Sequence, residues 1–227
     1  MMKHALRDSA WTAALVQAQK APSSYREKPP AVVLDVDETV LDNSPYQARL
    51  IKNDDFYSAE SWNDWCRERE ATAVPGAREF AVQADSMGVQ VIYLTNRDAK
   101  VETATRENLR QKGFPVEDAP DAVLTQGEKP GWEPKAPRRA WVAERYRILL
   151  LVGDNIGDFI TQPDTTLAAR EKAADRYRQF WGKRWIVLPN PQYGSWESAL
   201  IDHDYSLPPT EQLRRKRDHL QTEHGDS

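Results

Sequence analysis

Four short aliphatic runs constrain the fold of this chain more than any other feature of its sequence. They are "AVVLDV" (31–36), "VQVIYLT" (89–95), "RILLLVGD" (147–154) and "RWIVLPN" (184–190). Continuous aliphatic runs of this length are typical of strands buried on both faces of a parallel sheet. Segments with helical character lie between the runs, at 76–88, 98–113 and 136–146. This alternation predicts an α/β fold built on a doubly wound, mostly parallel sheet.

The length of 227 residues predicts a single domain with elaborations. Spaced apolar residues predict an N-terminal helix at about 5–20 that packs outside the core. The segment at about 42–74 does not fit the strand and helix alternation, and we interpret it as a small, helical and aromatic cap inserted over the sheet. Residues from about 208 to 227 form a C-terminal tail that carries a basic run.

Composition excludes several classes of protein. The formal charge of −4 gives no general attraction for a nucleic-acid polymer. The longest apolar runs have the length of strands and fall short of the ~20 residues that a membrane span needs. Cys66 is the one cysteine, which excludes an intrachain disulfide and a cysteine-based metal site.

Polar residues follow the aliphatic runs at the points where the strands should end. Asp35 and Asp37 follow the first run, "TNR" (95–97) closes the second, and Asp154 and Asp158 follow the third. In open α/β sheets, ligands bind outside the carboxyl ends of the strands. We therefore expect these side chains to converge on one site.

The same stretches resemble the motifs of a known superfamily. "DVDETVLD" is similar to the DxDxT signature of the haloacid dehalogenase-like (HAD) phosphohydrolases, and "YLTNR", "KAPRR" and "VGDNIGDF" resemble its second, third and fourth motifs in order. "LDNSPYQ", "SWNDW" and "LPNPQYGSWE" look like the class C (DDDD) acid phosphatases, the lipoprotein e family. The resemblance implies a HAD-like Rossmannoid fold and a magnesium-dependent, nonspecific acid phosphatase and 5'-nucleotidase that is exported or lipid-anchored.

The two acids of "DVD" have roles that phosphate-ester chemistry requires. Asp35 can attack phosphorus and form an aspartyl-phosphate. Asp37 can protonate the leaving oxygen and then activate water. A dianionic phosphate approaches carboxylates only if a cation intervenes, and Mg²⁺ prefers oxygen ligands. We expect it to be bound by the side chains of Asp35 and Asp154 and by the backbone carbonyl of Asp37. Asp158 should act as a further ligand through water or orient the others.

Three further residues are candidates for contact with the phosphoryl oxygens. Thr95 offers its hydroxyl, and the amide of Asn96 can add a second donor. Lys135 supplies positive charge to the same oxygens and to the nucleophile. Lys129 competes for that role, but Lys135 precedes an arginine-containing helix start as the third motif does. Taken singly, each has an ordinary structural explanation. Asp37 could cap a helix or a turn, Thr95 could be an ordinary residue at a strand end, and Lys135 could be a solvated side chain.

Aromatic residues of the cap and of the last motif predict a site for a substrate ring. An insertion too small for a core of its own can use its rings to stack on a base. The candidate substrate contacts, together with Asn96, are Tyr46, Phe56, Trp62, Trp65 and Tyr193.

We therefore expect a magnesium-dependent phosphatase acting on small phosphomonoesters, nucleoside 5'-monophosphates among them. The alternatives are a narrow-specificity HAD phosphatase for a sugar or metabolite phosphate and a phosphate-binding or storage relative without catalysis. A homodimer is left open. The first residues lack a continuous apolar signal region, so the chain is either cytoplasmic or a mature form of a periplasmic or outer-membrane-associated protein.

Overall fold

The computed structural model describes residues 1–19, 24–161 and 166–220, and a five-stranded parallel sheet lies at their centre. The strand order is β5-β4-β1-β6-β7, and a two-stranded antiparallel sheet pairs β2 with β3. The strands are β1 (Pro30–Leu34), β2 (Leu41–Asp42), β3 (Thr72–Ala73), β4 (Gln90–Asp98), β5 (Val123–Gln126), β6 (Arg147–Gly153) and β7 (Trp185–Val187). All four aliphatic runs therefore form strands of the main sheet, as predicted.

The helices alternate with these strands along the chain. They are α1 (Met2–Arg7), α2 (Leu15–Gln19), α3 (Ser44–Lys52), α4 (Ala59–Glu68), α5 (Ala77–Ser86), α6 (Glu102–Gln111), α7 (Lys135–Arg145), α8 (Leu167–Arg176), α9 (Ser195–Ala199) and α10 (Pro209–Asp218). The three predicted helical segments correspond to α5, α6 and α7.

The main sheet is buried on both faces. Neighbouring residues of its strands point to opposite sides, and each side packs in a hydrophobic cluster of its own. Val32 and Leu34 of β1 pack in one hydrophobic cluster, with Tyr93 of β4. Ala31 and Val33 pack in the other cluster. This two-sided burial explains the continuous aliphatic runs in the sequence.

The strand order creates a switch point at β1. The chain proceeds from β1 to β4 and β5 on one side and then crosses to β6 and β7 on the other. Helices and loops diverge from the carboxyl ends of the strands at such a point, which leaves a crevice there. The ends of β4, β1 and β6 are adjacent, so the three polar stretches predicted to converge do so.

The prediction of one N-terminal helix outside the core is wrong. The structure has two short helices, α1 and α2, and the segment between them lies against the sheet, while residue 20 lies outside the described residues. The Trp11 indole donates to the Leu149 carbonyl at 2.8 Å, and the Ala13 amide donates to the Ile148 carbonyl at 2.7 Å. The segment begins with a turn, in which the Trp11 backbone amide donates to the Asp8 carbonyl at 3.0 Å, and its bonds to β6 hold it against the sheet.

Strand β5 and helix α8 were not predicted from the sequence. Strand β5 has four residues and owes its place to pairing with β4. Helix α8 has no buried residue, so it lacks the apolar stripe by which an amphipathic helix is recognised.

The segment interpreted as a cap leaves the sheet through β2 and returns through β3. Leu41 pairs with Ala73, and Asp42 pairs with Thr72. Helices α3 and α4 lie between these strands. In the predicted C-terminal tail, α10 is helical, and residues 221–227 lie outside the described part of the chain. No helix in the described residues is long and apolar enough to cross a membrane.

Candidate active site

Asp35 lies at the carboxyl end of β1 in the middle of the switch-point crevice. Its amide donates to the Val152 carbonyl of β6 at 2.9 Å, which fixes the backbone beside the third polar stretch. Its carboxylate is buried and accepts a hydrogen bond of 2.5 Å from the ammonium of Lys135. Burial raises the pKa of Asp35 well above its usual value, Lys135 opposes this effect, and the neighbouring Asp158 and Asp154 add to it.

Asp35, Asp154 and Asp158 form an acidic cluster, in which one carboxylate oxygen of each residue lies within 4.8 Å of the others. Asp154 accepts a hydrogen bond of 2.6 Å from the side-chain amide of Asn190. Asp158 accepts one of 2.9 Å from the Asn155 amide, in a reciprocal capping arrangement at the start of a short 3₁₀ turn. Each acid is thus held by a partner from outside the cluster.

The acidic cluster fits a divalent cation. Its donors are hard carboxylate oxygens, which suit Mg²⁺, Ca²⁺ or Mn²⁺ better than softer metals. Lys135 is the one ammonium that bonds to the cluster in the described structure, so three carboxylates face a single positive charge. Burial also raises the pKa of Asp154, and the charge of Asp158 raises it further, which shows the surplus of negative charge that a cation would relieve.

Lys135 is the first residue of α7 and bridges two members of the acidic cluster. Its ammonium lies 2.5 Å from an oxygen of Asp35 and 2.5 Å from one of Asp158. Burial lowers the pKa of this lysine, but Asp158 and Asp35 more than compensate, so the net direction is upward and the charge persists. Lys129, the competing candidate, instead has its ammonium over the rings of Trp132 and Trp141, at 4.2 and 4.8 Å from the ring centroids.

Asp37 belongs to a separate hydrogen-bonded group beside the acidic cluster. Arg97 donates from Nε to Oδ1 of Asp37 at 2.9 Å, and Nη2 lies 2.8 Å from the same oxygen. The side-chain amide of Asn43 donates to that oxygen at 3.0 Å, and the Thr95 hydroxyl donates to Oδ2 of Asp37 at 3.2 Å. Asn43 in turn accepts from the Trp65 indole at 2.8 Å. The aspartates at the first and third positions of the first motif therefore differ in partner: Asp35 bonds to a lysine, and Asp37 bonds to an arginine.

Thr95 and Asn96, the expected donors to phosphate, lie at the end of β4 beside these groups. Thr95 is buried, and its hydroxyl accepts from the Arg97 amide at 3.0 Å while it donates to Asp37. Asn96 is exposed, and its side-chain oxygen accepts from Arg138 at 2.6 Å. The backbone amide of Asn96 stays a predicted phosphate donor.

The aromatic candidates separate into buried and accessible residues. Tyr46 and Trp65 are only 1% and 3% exposed, and their rings pack 6.2 Å apart inside the cap. Such burial leaves no free ring face, which contradicts the substrate contacts predicted for these two. Trp62 is half-buried, and Phe56 is 87% exposed. Tyr193 is half-buried beside the first motif.

Glu38, for which we predicted no role in the site, connects the last motif to the first. Its backbone has a φ of 59°. Its carboxylate accepts from the Tyr193 hydroxyl at 3.0 Å and from the backbone amide of Asn43 at 3.3 Å. Burial raises its pKa, and the two hydrogen bonds oppose the rise. Arg97 and Asn43 are the other site residues without a predicted role, although both lie within the quoted stretches "YLTNR" and "LDNSPYQ".

Comparison with known families agrees with this geometry. Residues 1–196 match the model of the HAD superfamily, subfamily IIIB (acid phosphatase). The chain belongs to this subfamily. The predicted resemblance and the predicted HAD-like fold are both confirmed.

Two solved structures of the class C acid phosphatase from Bacillus anthracis resemble the chain throughout. One has 36% identity and a TM-score of 0.79, and the match covers 91% of this chain and 86% of that one. The other, with tungstate bound, has 34% identity and a TM-score of 0.80, with 97% and 91% covered.

Curated relatives are more distant. Acid phosphatase 1 of Solanum lycopersicum is 29% identical over 165 residues, which are 71% of this chain and 57% of that protein. A stem 28 kDa glycoprotein of Glycine max is 23% identical over 133 residues, which are 56% of this chain and 52% of that protein. The chain spans about half the length of these curated plant relatives.

Proposed function

We propose that the chain is a magnesium-dependent acid phosphatase that hydrolyses small phosphomonoesters through an aspartyl-phosphate. The observation that carries this proposal is the pairing of Asp35 with Lys135, next to Asp37, which has its own arginine partner. Two acids two residues apart, with different charged partners, suit a nucleophile and a proton donor.

In the first half of the proposed reaction, an oxygen of Asp35 attacks phosphorus and the bond to the ester oxygen breaks. Asp37 gives its proton to the departing oxygen, which leaves as an alcohol. Lys135 opposes the rise in the pKa of Asp35 that burial causes, and it offers positive charge to the phosphoryl oxygens. Thr95, whose hydroxyl donates to Asp37, is the further donor proposed for the phosphoryl oxygens.

In the second half, water attacks the phosphorus of the aspartyl-phosphate. Asp37 takes the proton from that water, the bond between phosphorus and the Asp35 oxygen breaks, and inorganic phosphate leaves. Asp35 returns as a carboxylate and Asp37 returns as an acid, so the cycle closes.

Magnesium is the cation that we propose for the acidic cluster. The side chains of Asp35, Asp154 and Asp158 and the backbone carbonyl of Asp37 would hold it. When bound, it would neutralise the carboxylates and the phosphate charge that face each other. The related enzyme bound to tungstate supports a site for a tetrahedral oxyanion in this family.

Nucleoside monophosphates are the substrates that the accessible aromatic residues favour. Phe56 is exposed in the loop between α3 and α4, Trp62 is half-buried in the cap, and Tyr193 is half-buried where the last motif meets the first. Stacking of a base on an aromatic ring is worth about 1–3 kcal/mol. A sugar phosphate offers no flat ring to such a surface, so the alternative of a sugar phosphatase is less well supported.

Phosphate release tests the proposal directly. The purified chain, treated with a chelator and then supplied with Mg²⁺, should release phosphate from an aryl phosphate and from nucleoside 5'-monophosphates. The variant Asp35→Asn should lose this activity while it retains the folded circular-dichroism spectrum. Activity that persists without any divalent cation would refute the magnesium requirement, and undiminished activity in Asp35→Asn would refute the aspartyl-phosphate. A preference for sugar phosphates over nucleotides would select the alternative.

A further inference from the structure

Two consecutive residues of α7, Arg138 and Arg139, reach different parts of the proposed reaction centre. Both follow Lys135 by about one helical turn. Arg138 is completely buried, and Arg139 is nearly so. The proposed mechanism uses neither of them.

Arg138 bonds to the last part of β4, at the two residues predicted to face phosphate. Its Nη1 donates to the Thr95 carbonyl, and its Nη2 donates to the side-chain oxygen of Asn96 at 2.6 Å. Weaker bonds reach the Leu124 carbonyl at 3.3 Å and the Glu133 carbonyl at 3.2 Å. The strongest contacts therefore orient the two residues predicted to face phosphate.

Arg139 bonds to the loop that carries the acids of the fourth motif. Its Nη1 donates to the Gly157 carbonyl at 2.6 Å, and its Nη2 donates to the Ile160 carbonyl at 2.8 Å. These two carbonyls lie on either side of Asp158 in the sequence. The guanidinium thus spans the short turn from which Asp158 enters the acidic cluster.

Neither arginine has an ion-pair partner that would explain its burial. Within the described residues, every hydrogen-bond acceptor of both guanidinium groups is a peptide or amide oxygen. A buried charge without a carboxylate partner is costly, and burial lowers the pKa of both arginines to about 10. Asp35 opposes that effect most at Arg138, and Asp158 opposes it at Arg139. Residues that break a folding rule in this way are expected mainly at functional sites.

We propose that Arg138 and Arg139 are positioning residues for separate halves of the reaction centre. Arg138 sets the phosphate-facing residues 95–96 near the end of β4, and Arg139 sets the turn that presents Asp158 to the metal. The inference rests on the proposed function, because it assumes that phosphate and a divalent cation bind at these two places.

Two equilibrium constants measured on two matched variants test this division. Arg138→Lys and Arg139→Lys keep the charge but lose the fork that reaches two carbonyls. We expect Arg139→Lys to weaken Mg²⁺ binding about 10-fold or more, as outer-shell changes do, with phosphate binding within 2-fold. We expect Arg138→Lys to weaken inorganic phosphate binding about 10-fold, with Mg²⁺ binding within 2-fold. Calorimetry measures Mg²⁺ binding without substrate and phosphate binding at saturating Mg²⁺ for each variant.

Equal losses of both constants in both variants, or no loss in either, would overturn the proposal and make the pair ordinary supports of the fold. Thermal unfolding is recorded first, and a lysine variant that does not fold is replaced by the glutamine variant, which keeps an amide donor. An arginine for which neither variant folds belongs to the fold, which overturns its positioning role.

Neither binding constant depends on turnover. A chain that shows the expected split but hydrolyses no phosphomonoester would refute the proposed function and leave this inference standing.

Discussion

The guanidinium of Arg97 holds the carboxylate of Asp37 through two of its nitrogens. Nε donates to Oδ1 at 2.9 Å, and Nη2 lies 2.8 Å from the same oxygen. Arg97 is completely buried, so the contact is protected from water and salt. Asn43 accepts from Arg97 at 3.2 Å and from the Trp65 indole at 2.8 Å, which connects the carboxylate to the cap. The orientation of the proposed proton donor therefore depends on a residue that never needs to touch substrate.

Replacing Arg97 with lysine should impair proton transfer selectively. Lysine keeps the charge but cannot reproduce the fork, so Asp37 should lose its fixed orientation. A proton donor matters most when the leaving group is a poor one, so turnover of alkyl phosphates should fall about 10- to 100-fold, and turnover of aryl phosphates with acidic leaving groups less. The slope of log kcat against leaving-group pKa measures this. Arg69→Lys, at an exposed ion pair with Glu107, is the control, and an equal loss for all substrates would contradict the role.

Removing Lys135 should abolish most activity, whereas removing Lys129 should not. Lys135→Met leaves Asp35 and Asp158 without their shared cation, and the loss of one such electrostatic contact costs about 10²–10³ in kcat. Lys129→Met keeps contact with the rings of Trp132 and Trp141 and should stay within about 3-fold of the unmodified chain. Steady-state kcat for both variants decides between the two lysines. A larger loss for Lys129→Met would reverse the assignment.

Gly153 leaves room that Asp158 occupies. A Cβ built on Gly153 would overlap the Asp158 side chain, so Gly153→Ala should lower the free energy of unfolding by about 1–3 kcal/mol. The cost should shrink in an Asp158→Ala background, because the colliding carboxylate atoms are then absent and only the Asp158 Cβ remains. Urea denaturation of the two single variants and the double variant gives the coupling energy, expected at about 0.5–3 kcal/mol. Additive single effects would show that the strain has another source.

The main features of the fold could be predicted because the strands of the central sheet are buried on both faces. Residues 31–34 and 148–152 show that burial in the sequence as unbroken aliphatic runs. Strand β5 and helix α8 could not be predicted, because one depends on its neighbour for pairing and the other has no buried face. The course of residues 8–14 could not be predicted for a similar reason: the bonds that hold this segment against the sheet go to β6, more than 130 residues away.

The exposed ring of Phe56 should affect nucleotides and leave small phosphates unaffected. If a base stacks on this ring, Phe56→Ala should raise KM for nucleoside 5'-monophosphates about 5- to 50-fold. KM for a short alkyl phosphate should stay within 2-fold. Ile51→Ala is the matched control, since Ile51 is 77% exposed on the same cap segment but has no ring. If Phe56→Ala changed both classes of substrate equally, the ring would have no part in recognising a base.

Cys66 should resist alkylation until the chain unfolds. Burial raises the pKa of its thiol to about 12, so only about 10⁻⁴ of it is ionised at pH 8, against roughly a quarter of an unperturbed thiol. Because the thiolate is the nucleophile, alkylation by iodoacetamide should be at least ~10³-fold slower in the folded chain than in urea. The rate should rise about 10-fold from pH 8 to pH 9. Mass spectrometry of timed samples measures both rates, and a fast reaction at pH 8 would disprove the burial of this thiol.

The composition of the site was predictable, but its internal pairing was not. Asp35, Asp154 and Asp158 follow strand ends that any parallel sheet brings together. The partner of Asp37 is different, because Arg97 lies 60 residues away and looks like an ordinary polar residue at a strand end. Only the burial of its whole side chain distinguishes it. Tyr46 and Trp65 failed as substrate contacts for the opposite reason: their rings form the interior of the cap.

The central place of β1 has a consequence for synthesis on the ribosome. This strand is made early, but its partner β6 begins only at Arg147, and Asp35 meets Lys135 100 residues later in the chain. Until then one edge of this aliphatic strand has backbone N–H and C=O groups without partners. Such edges pair readily with other chains. We expect nascent chains that stop before β6 to need a chaperone and to lack any assembled acidic cluster. An unfinished chain is therefore both prone to aggregate and unable to act on phosphate.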